Sequence, residues 1–358
     1  MVHVRYGVFA AMAAAGCVIG LGRGDVARDE MQRQVDAGLI AGGVAACEGM
    51  EPVCVGLARV APDRTPVRTD TLFDVASLTK TFTAVICANL AARGLVDVDA
   101  PFVRYLPECA VGPESRITMR DLAMHRSGFV NDPSLTAGNP TPEEFRRRVL
   151  AQLPKRQCPA AYFYSCHNYI LLGMIAERVT GKTLDVLGKE LVFGPLGMKD
   201  TTWGPVPDDG RPMRCAYRKI EPGRIIDKIA GKVGIPIGNA GVFTTVGDVS
   251  LFMKDILARK TFAPAVYDLL LSEGRCADGV KRTFGFAMND TARPAGVSMR
   301  AVWHTGSTGQ TMLADPETGF WAVVLTSRGG KDGKEGHDAC IEARKKLIGM
   351  LATKKNER

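Results

Sequence analysis

Phe73-Asp74-Val75-Ala76-Ser77-Leu78-Thr79-Lys80, running on through Thr81-Phe82 to Arg93-Gly94, is the stretch from which the architecture can be built outward. Over 75–93 the apolar residues Phe82, Val85, Ile86 and Leu90 recur at helical spacing, Asn89 sits beside them, and Gly94 supplies a stop. The pattern predicts a helix over 75–93, the strongest in the chain. Ser77 and Lys80 lie one turn apart on one face of its start. Serine is a poor nucleophile unless a base lies within hydrogen-bond reach. A lysine desolvated near the positive end of a helix has its pKa lowered, which predicts a neutral amine at Lys80 able to accept a proton. The same dipole end would stabilise a developing oxyanion. Taken alone, Ser-x-x-Lys also fits a serine cap beside a solvated lysine, and only its context separates the two.

Upstream, 25–40 reads as a helix with Val26, Met31, Val35 and Leu39 as its stripe. The runs 42–47 and 53–60, around Glu48-Gly49-Met50-Glu51, read as a strand pair. Downstream, the chain from 101 to 235 is helix-rich and broken by Pro and Gly. Thr141-Pro142-Glu143-Glu144 is a capping box opening a helix to 153, and a second helix spans 168–180. After Gly238 strands return, with a hairpin from 310–314 to 320–326, and a last helix covers 337–351. This order predicts an α+β fold: an antiparallel sheet flanked by helices, with a second, mainly helical lobe. The expected boundaries are an α/β lobe from 24–100 and 236–358, and a helical lobe from 101–235 inserted between them. The cleft between the lobes is the expected place for a site.

The 358 residues are 46% hydrophobic and 23% charged, an ordinary globular composition. The net charge of +8, from 46 basic and 38 acidic residues, suits contact with an anionic polymer such as cell wall. No basic-aromatic groove or nucleic-acid motif occurs, so nucleic acid is not an expected partner. The C-terminal basic run from Arg344 to Arg358 reads as a solvated helix face and tail. The apolar run 8–21, preceded by His3 and Arg5, is too short to span a membrane but has the length of a signal-peptide core. Ala14-Ala15-Gly16-Cys17 resembles a lipobox, with Ala where Leu is usual. Residues 1–23 are therefore expected to be a signal or lipoprotein leader. The protein would be exported, either periplasmic or attached to a membrane through a lipidated Cys17. The alternative is a buried N-terminal helix in a cytoplasmic protein. Of the ten cysteines, Cys87 and Cys340 read as small core residues, while Cys47 and Cys54 flank a turn across which they could pair. With no CxxC and five histidines, a zinc site is not expected.

The context of Ser77 is informative. Phe73 to Lys80 resembles the first motif of the serine β-lactamase and penicillin-binding-protein superfamily, within its class C β-lactamase, D,D-peptidase and esterase group. Ile117-Thr118-Met119-Arg120-Asp121-Leu122 with His125-Arg126-Ser127-Gly128-Phe129 resembles the helix and turn ahead of the second motif. Tyr164-Ser165-Cys166, with Tyr169-Ile170-Leu171-Leu172-Gly173, looks like the family's Tyr-x-Asn segment. Gly194-Pro195-Leu196-Gly197-Met198 and Gly238-Asn239-Ala240-Gly241-Val242-Phe243 resemble its downstream segments, and His304-Thr305-Gly306 its Lys/His-Thr-Gly motif. The likeness spans roughly residues 30–350 in the family's order, and it implies a β-lactamase/transpeptidase-like fold.

The resemblance implies that Ser77 attacks a carbonyl, Lys80 holds or accepts its proton, and Tyr164 shares the general base and acid duty. The backbone N–H groups of Ser77 and Ser307 would form an oxyanion hole. His304, Thr305, Gly306 and Cys166 would contact substrate. Such acylation and hydrolysis needs neither metal nor organic cofactor. Two departures matter. Cys166 replaces the usual Asn, and a thiol is a weak donor and acceptor, so amide recognition is weakened unless Asn168 turns inward. His304 stands where many β-lactamases carry Lys, offering less positive charge at neutral pH. Both tilt away from an efficient β-lactamase. His125 and Asp74 read as structural. The leading expectation is a serine hydrolase acting on a small ester or a D-amino-acid peptide such as one derived from peptidoglycan. The alternatives are a β-lactamase, a non-catalytic module binding cell-wall fragments, and a thiol hydrolase acting through Cys166.

Overall fold

The computed structural model describes residues 22–354, apart from 62, 113–114, 211–220, 289–292 and 329–332. The apolar run 8–21 and Cys17 lie outside the described residues. Among the described residues no helix is long and apolar enough to cross a membrane.

Helix α1 (Arg23–Asp36) leads into strands β1 (Ile40–Cys47), β2 (Met50–Arg59) and β3 (Thr65–Pro66). Strand β4 (Phe73–Asp74) and a single 3₁₀ turn (Ala76–Leu78) feed helix α2 (Thr79–Ala92). The middle of the chain is helical: α3 (Met119–Ala123), α4 (Pro142–Leu150), α5 (Cys166–Thr180), α6 (Leu184–Gly188) and α7 (Gly194–Leu196). Strand β5 (Thr202–Trp203), helix α8 (Ala230–Val233) and strand β6 (Val242–Thr244) follow. Helices α9 (Val246–Ala258) and α10 (Pro264–Leu271) then precede the ribbon β7 (Gly274–Arg275) and β8 (Lys281–Arg282). The chain closes with β9 (Val302–Gly306), β10 (Gln310–Ala314), β11 (Trp321–Arg328) and α11 (Gly333–Thr353).

The main sheet has the order β3-β2-β1-β11-β10-β9, and every pairing is antiparallel. The early and late strands therefore meet at β1 and β11, with Val44 opposite Leu325. Side chains alternate between its faces. Val44, Ala46, Val302, Met312, Val323 and Leu325 join the core built around α2 and α9. Ala45, Cys47, Trp303, Leu313, Ala322 and Val324 face Ala27 and Met31 of α1 and Leu347, Ile348 and Leu351 of α11. The antiparallel sheet flanked by helices is the expected fold class.

Helix α2 is not amphipathic: every residue from Thr79 to Leu90 is buried. Phe82 anchors it, with its ring centroid 5.4 Å from that of Phe193 and 5.3 Å from that of Phe252. Phe82→Ala should cost about 3–5 kcal/mol, read as a lower midpoint in urea unfolding.

Several expectations shift. The predicted helix over 75–93 begins only at Thr79, because Phe73 and Asp74 pair with β6 and Ala76 takes the left-handed φ of 45°. Helix α1 ends at Asp36, and Ile40 already belongs to β1. Helix α5 starts two residues before 168, at Cys166. Cys47 and Cys54 do not pair; both are free, since Cys47 lies opposite Met50 and Cys54 opposite Val44 in the ladder.

Candidate active site

Ser77 sits in the 3₁₀ turn between β4 and α2. The turn is strained at Ala76, and such a non-glycine conformation costs ~1–3 kcal/mol. Asp74 holds it: its Oδ1 accepts the Ala76 N–H at 2.9 Å and its Oδ2 accepts the Ile226 N–H at 2.7 Å. Asp74 thus acts on the backbone around Ser77, the structural part expected of it. Strand β9 closes on the same turn. A Cβ on Gly306 would lie 2.6 Å from the Val75 carbonyl oxygen, so only glycine permits this approach. Thr308 Oγ1 donates to the Asp74 carbonyl at 2.9 Å and fixes the end of the strand there.

The Lys80 side chain is buried, and its Nζ donates to Ser77 Oγ at 3.1 Å, to Cys166 Sγ at 3.5 Å and to the Asn239 carbonyl at 2.8 Å. An ammonium carries three donors, and here each meets an acceptor. Burial pushes the Lys80 pKa down, but interaction with Cys166, Tyr164 and Asp227 outweighs it and the net shift is upward. The predicted neutral amine is therefore corrected: Lys80 rests as an ammonium. Desolvation does act on Lys80, but neighbours distant in the chain outweigh it.

Tyr164 stands over Lys80, with Nζ 5.0 Å from its ring centroid. Burial raises its phenol pKa, while the neighbouring Lys80 charge pulls it back; the net shift is upward. Its ring lies tilted against that of His125, with the centroids 4.6 Å apart. His125 Nδ1 accepts the Ser165 N–H at 3.2 Å, which ties the turn at 125 to the Tyr164 segment. His125 is thus a scaffold residue, as expected.

Cys166 opens α5, and its N–H donates to Asn131 Oδ1 at 2.7 Å. Asn131 also donates to the Tyr164 carbonyl at 3.2 Å, so one side chain sets both residues. Asn168 does not compensate for the missing amide. It is buried away from the lysine, with Oδ1 accepting from Ser127 Oγ at 2.6 Å and Nδ2 lying 3.2 Å from His125 Nδ1.

A cleft of about 560 Å³ opens beside this cluster, lined by Cys166, Ser307, Asn131, Asp227, Ile229 and Arg328 among others. A smaller cavity of about 190 Å³ touches Tyr164, His304 and Thr305. Ser77, Lys80, Tyr164 and Cys166 are thus joined by direct interactions. Ser307 shares the cleft with Cys166, His304 and Thr305 line the neighbouring cavity, and Gly306 packs beneath the turn. Asn131, Asp227 and the Asn239 carbonyl were not singled out by the sequence reading. Asn239 stood in a quoted segment, but a carbonyl contact carries no residue signature.

His304 is buried, and burial with the Arg282 and Lys80 charges lowers its pKa to about 3. It is neutral at physiological pH. His167 is lowered by burial to about 4, and His125 lies well below its ordinary value for the same reason. The unfolded chain binds protons at these histidines near pH 6.5, whereas the folded protein does not until far lower. Stability is therefore complete above about pH 6.5 and falls as the pH drops toward 4. A series of thermal melts across that window should show Tm declining before the carboxylates begin to titrate.

A family model described as Beta-lactamase matches residues 26–344. The D-alanyl-D-alanine-carboxypeptidase/endopeptidase AmpH of Escherichia coli (strain K12) is 30% identical over 198 residues, 53% of this chain and 50% of that protein. The chain thus spans about half the length of that relative. Esterase EstB of Burkholderia gladioli is 27% identical over 314 residues, covering 73% of this chain and 79% of the esterase. Among solved structures, a class C beta lactamase from Rhodobacter sphaeroides superposes with a TM-score of 0.73 at 22% identity, covering 91% of this chain and 99% of that one.

Proposed function

Since the chain belongs to the Beta-lactamase family, with carboxypeptidase and esterase relatives, we propose that it is a serine acyl hydrolase forming an acyl-enzyme on Ser77. The observation that carries this reading is the 3.1 Å contact between Lys80 Nζ and Ser77 Oγ, with Tyr164 against the same lysine. Ser77 Oγ attacks the substrate carbonyl and its proton passes to Tyr164. That transfer needs Tyr164 as a phenolate, which the adjacent Lys80 ammonium stabilises. Tyr164 then returns the proton to the leaving group, and a water hydrolyses the acyl-enzyme by the same relay. Backbone N–H groups at Ser77 and Ser307 meet the oxyanion. Because the base is the deprotonated tyrosine, turnover should rise with pH above neutrality.

The acyl group enters the larger cleft beside Cys166 and Ser307. A thiol at 166 offers little to an amide, which favours small esters; the expected export and the charge of +8 favour a D-amino-acid peptide from peptidoglycan. A panel of aryl esters, D-alanyl peptides and a β-lactam tests this. Cys166→Asn should raise peptide hydrolysis relative to ester hydrolysis by about 10-fold, the worth of one amide hydrogen bond. No change in that ratio would remove Cys166 from substrate choice. Cys166→Ala should keep ester turnover; its loss there, with turnover retained in Ser77→Ala, would instead establish the thiol hydrolase.

A further inference from the structure

Asp74 reaches from the Ser77 turn to a second segment, since its Oδ2 accepts the Ile226 N–H at 2.7 Å. The next residue, Asp227, is half-buried and lines the larger cleft together with Cys166 and Ser307. Its Oδ1 accepts the N–H groups of Ile229 at 3.0 Å and Ala230 at 2.9 Å, which fixes the carboxylate in place. The side-chain Nδ2 of Asn239 lies 3.5 Å from the same oxygen. Asn239 is wholly buried and its own Oδ1 has no hydrogen-bond partner, so Asp227 is the group that orients this amide. The main-chain carbonyl of Asn239 in turn accepts from the Lys80 ammonium at 2.8 Å. A chain of contacts thus runs from a carboxylate in the cleft wall to the buried cation beside the nucleophile.

A buried ammonium is costly without a counter-charge. The three hydrogen bonds of Lys80 go to a hydroxyl, a thiol and a carbonyl, none of them a carboxylate. Asp227 is the carboxylate whose charge acts on it. The other titratable groups around the lysine are Tyr164, Cys166 and Tyr169 at and within α5, His125 after α3 and His304 of β9, and both histidines are held neutral. Around Asp227 the cleft also carries Asp132, Lys228, Lys232 and Arg328. In the reaction proposed above, Lys80 and Tyr164 share one proton at the working pH. The pair is either ammonium with phenolate or amine with phenol, and only the first holds a base. A negative charge on the lysine side favours the first. We propose that Asp227 is a positioning residue of this reaction: from the cleft wall and through Asn239, its carboxylate keeps the shared proton on Lys80 and leaves Tyr164 as the base.

The proposal rests on the serine-hydrolase reading for its catalytic meaning, and two measurements keep the fates of the two apart. The first follows kcat for an aryl ester against pH in the wild type, Asp227→Asn and Asp227→Glu. Asp227→Asn keeps an acceptor for the Ile229 and Ala230 N–H groups and removes the charge, whereas Asp227→Glu keeps the charge. In Asp227→Asn the plateau should fall about 3- to 10-fold and the rising limb should move down by about 0.5–1 pH unit, with KM little changed. The two shifts are linked, because a pair that loses its proton from Lys80 titrates earlier and yields less phenolate, so the rates converge at low pH. Asp227→Glu should restore most of the plateau. A fall at every pH with the limb in place, or a raised KM with kcat kept, overturns the proposal. The second measurement needs no turnover. Tyrosinate is titrated by ultraviolet difference absorbance in folded Ser77→Ala protein, with the Tyr164 signal isolated by subtracting the same protein carrying Tyr164→Phe. Where that signal first levels off, adding Asp227→Asn should lower it about 3- to 10-fold and Asp227→Glu should not. This result supports the proposal even where no ester is hydrolysed and the serine-hydrolase reading fails. An equal signal in Asp227→Asn overturns it.

Discussion

Ser77→Ala is expected to lower ester hydrolysis by ~10³-fold or more, with folding unchanged. The magnitude follows from what one hydroxyl does in the proposed reaction. Ser77 Oγ forms the covalent bond and lies in direct contact with Lys80, so its removal deletes the nucleophile and empties the proton relay together. What would remain is positioning and oxyanion stabilisation of a direct attack by water, a small residual. The 3₁₀ turn should survive the change, because it is held by Asp74 on the Ala76 and Ile226 amides and by Thr308 on the Asp74 carbonyl. A coincident unfolding transition with lost turnover is therefore the expected pair of results. Retained turnover would move the nucleophile elsewhere, with Cys166 the nearest candidate.

Lys80→Met should lower turnover by ~10²–10⁴-fold, the usual worth of a positioned proton-transfer group. It should also shift the pH profile in a direction that separates catalysis from packing. The Lys80 charge pulls the Tyr164 phenol down against the upward push of burial. Replacing that ammonium with an apolar chain of similar length leaves only the upward push. The rising limb of the rate should then move to higher pH, with no plateau reached where the wild type levels off. A purely structural role for Lys80 would lower the amplitude and leave the limb where it was. The same substitution leaves the Asn239 carbonyl without its donor, so some loss of stability accompanies it.

Much of this architecture was legible in the residues because local pattern and tertiary structure agree. The hairpin from Gln310–Ala314 to Trp321–Arg328 is signalled by its turn residues and β-rich flanks, and the capping box at Thr141 opens α4 as expected. The start of α2 was misjudged because periodicity cannot see that Phe73 and Asp74 are claimed by β6, or that Asp74 stabilises a left-handed Ala76. At the candidate site, residue types in a family-like order sufficed to gather Ser77, Lys80, Tyr164 and Cys166. Their protonation states did not follow, since those depend on neighbours distant in the chain: Asn239 and Asp227 for Lys80, Arg282 for His304. Asn131 was missed because an asparagine that orients two backbone groups looks like any loop asparagine.

The most direct test of the central claim is intact-mass analysis after exposure to a fluorophosphonate and, separately, to a β-lactam, in the wild type and in Ser77→Ala. The account predicts a single adduct on the wild type with at least one reagent, mapping to the peptide that contains Ser77 and absent from the folded Ser77→Ala protein. No adduct from either reagent on folded wild-type protein would contradict it and favour a module that binds cell-wall fragments without cleaving them.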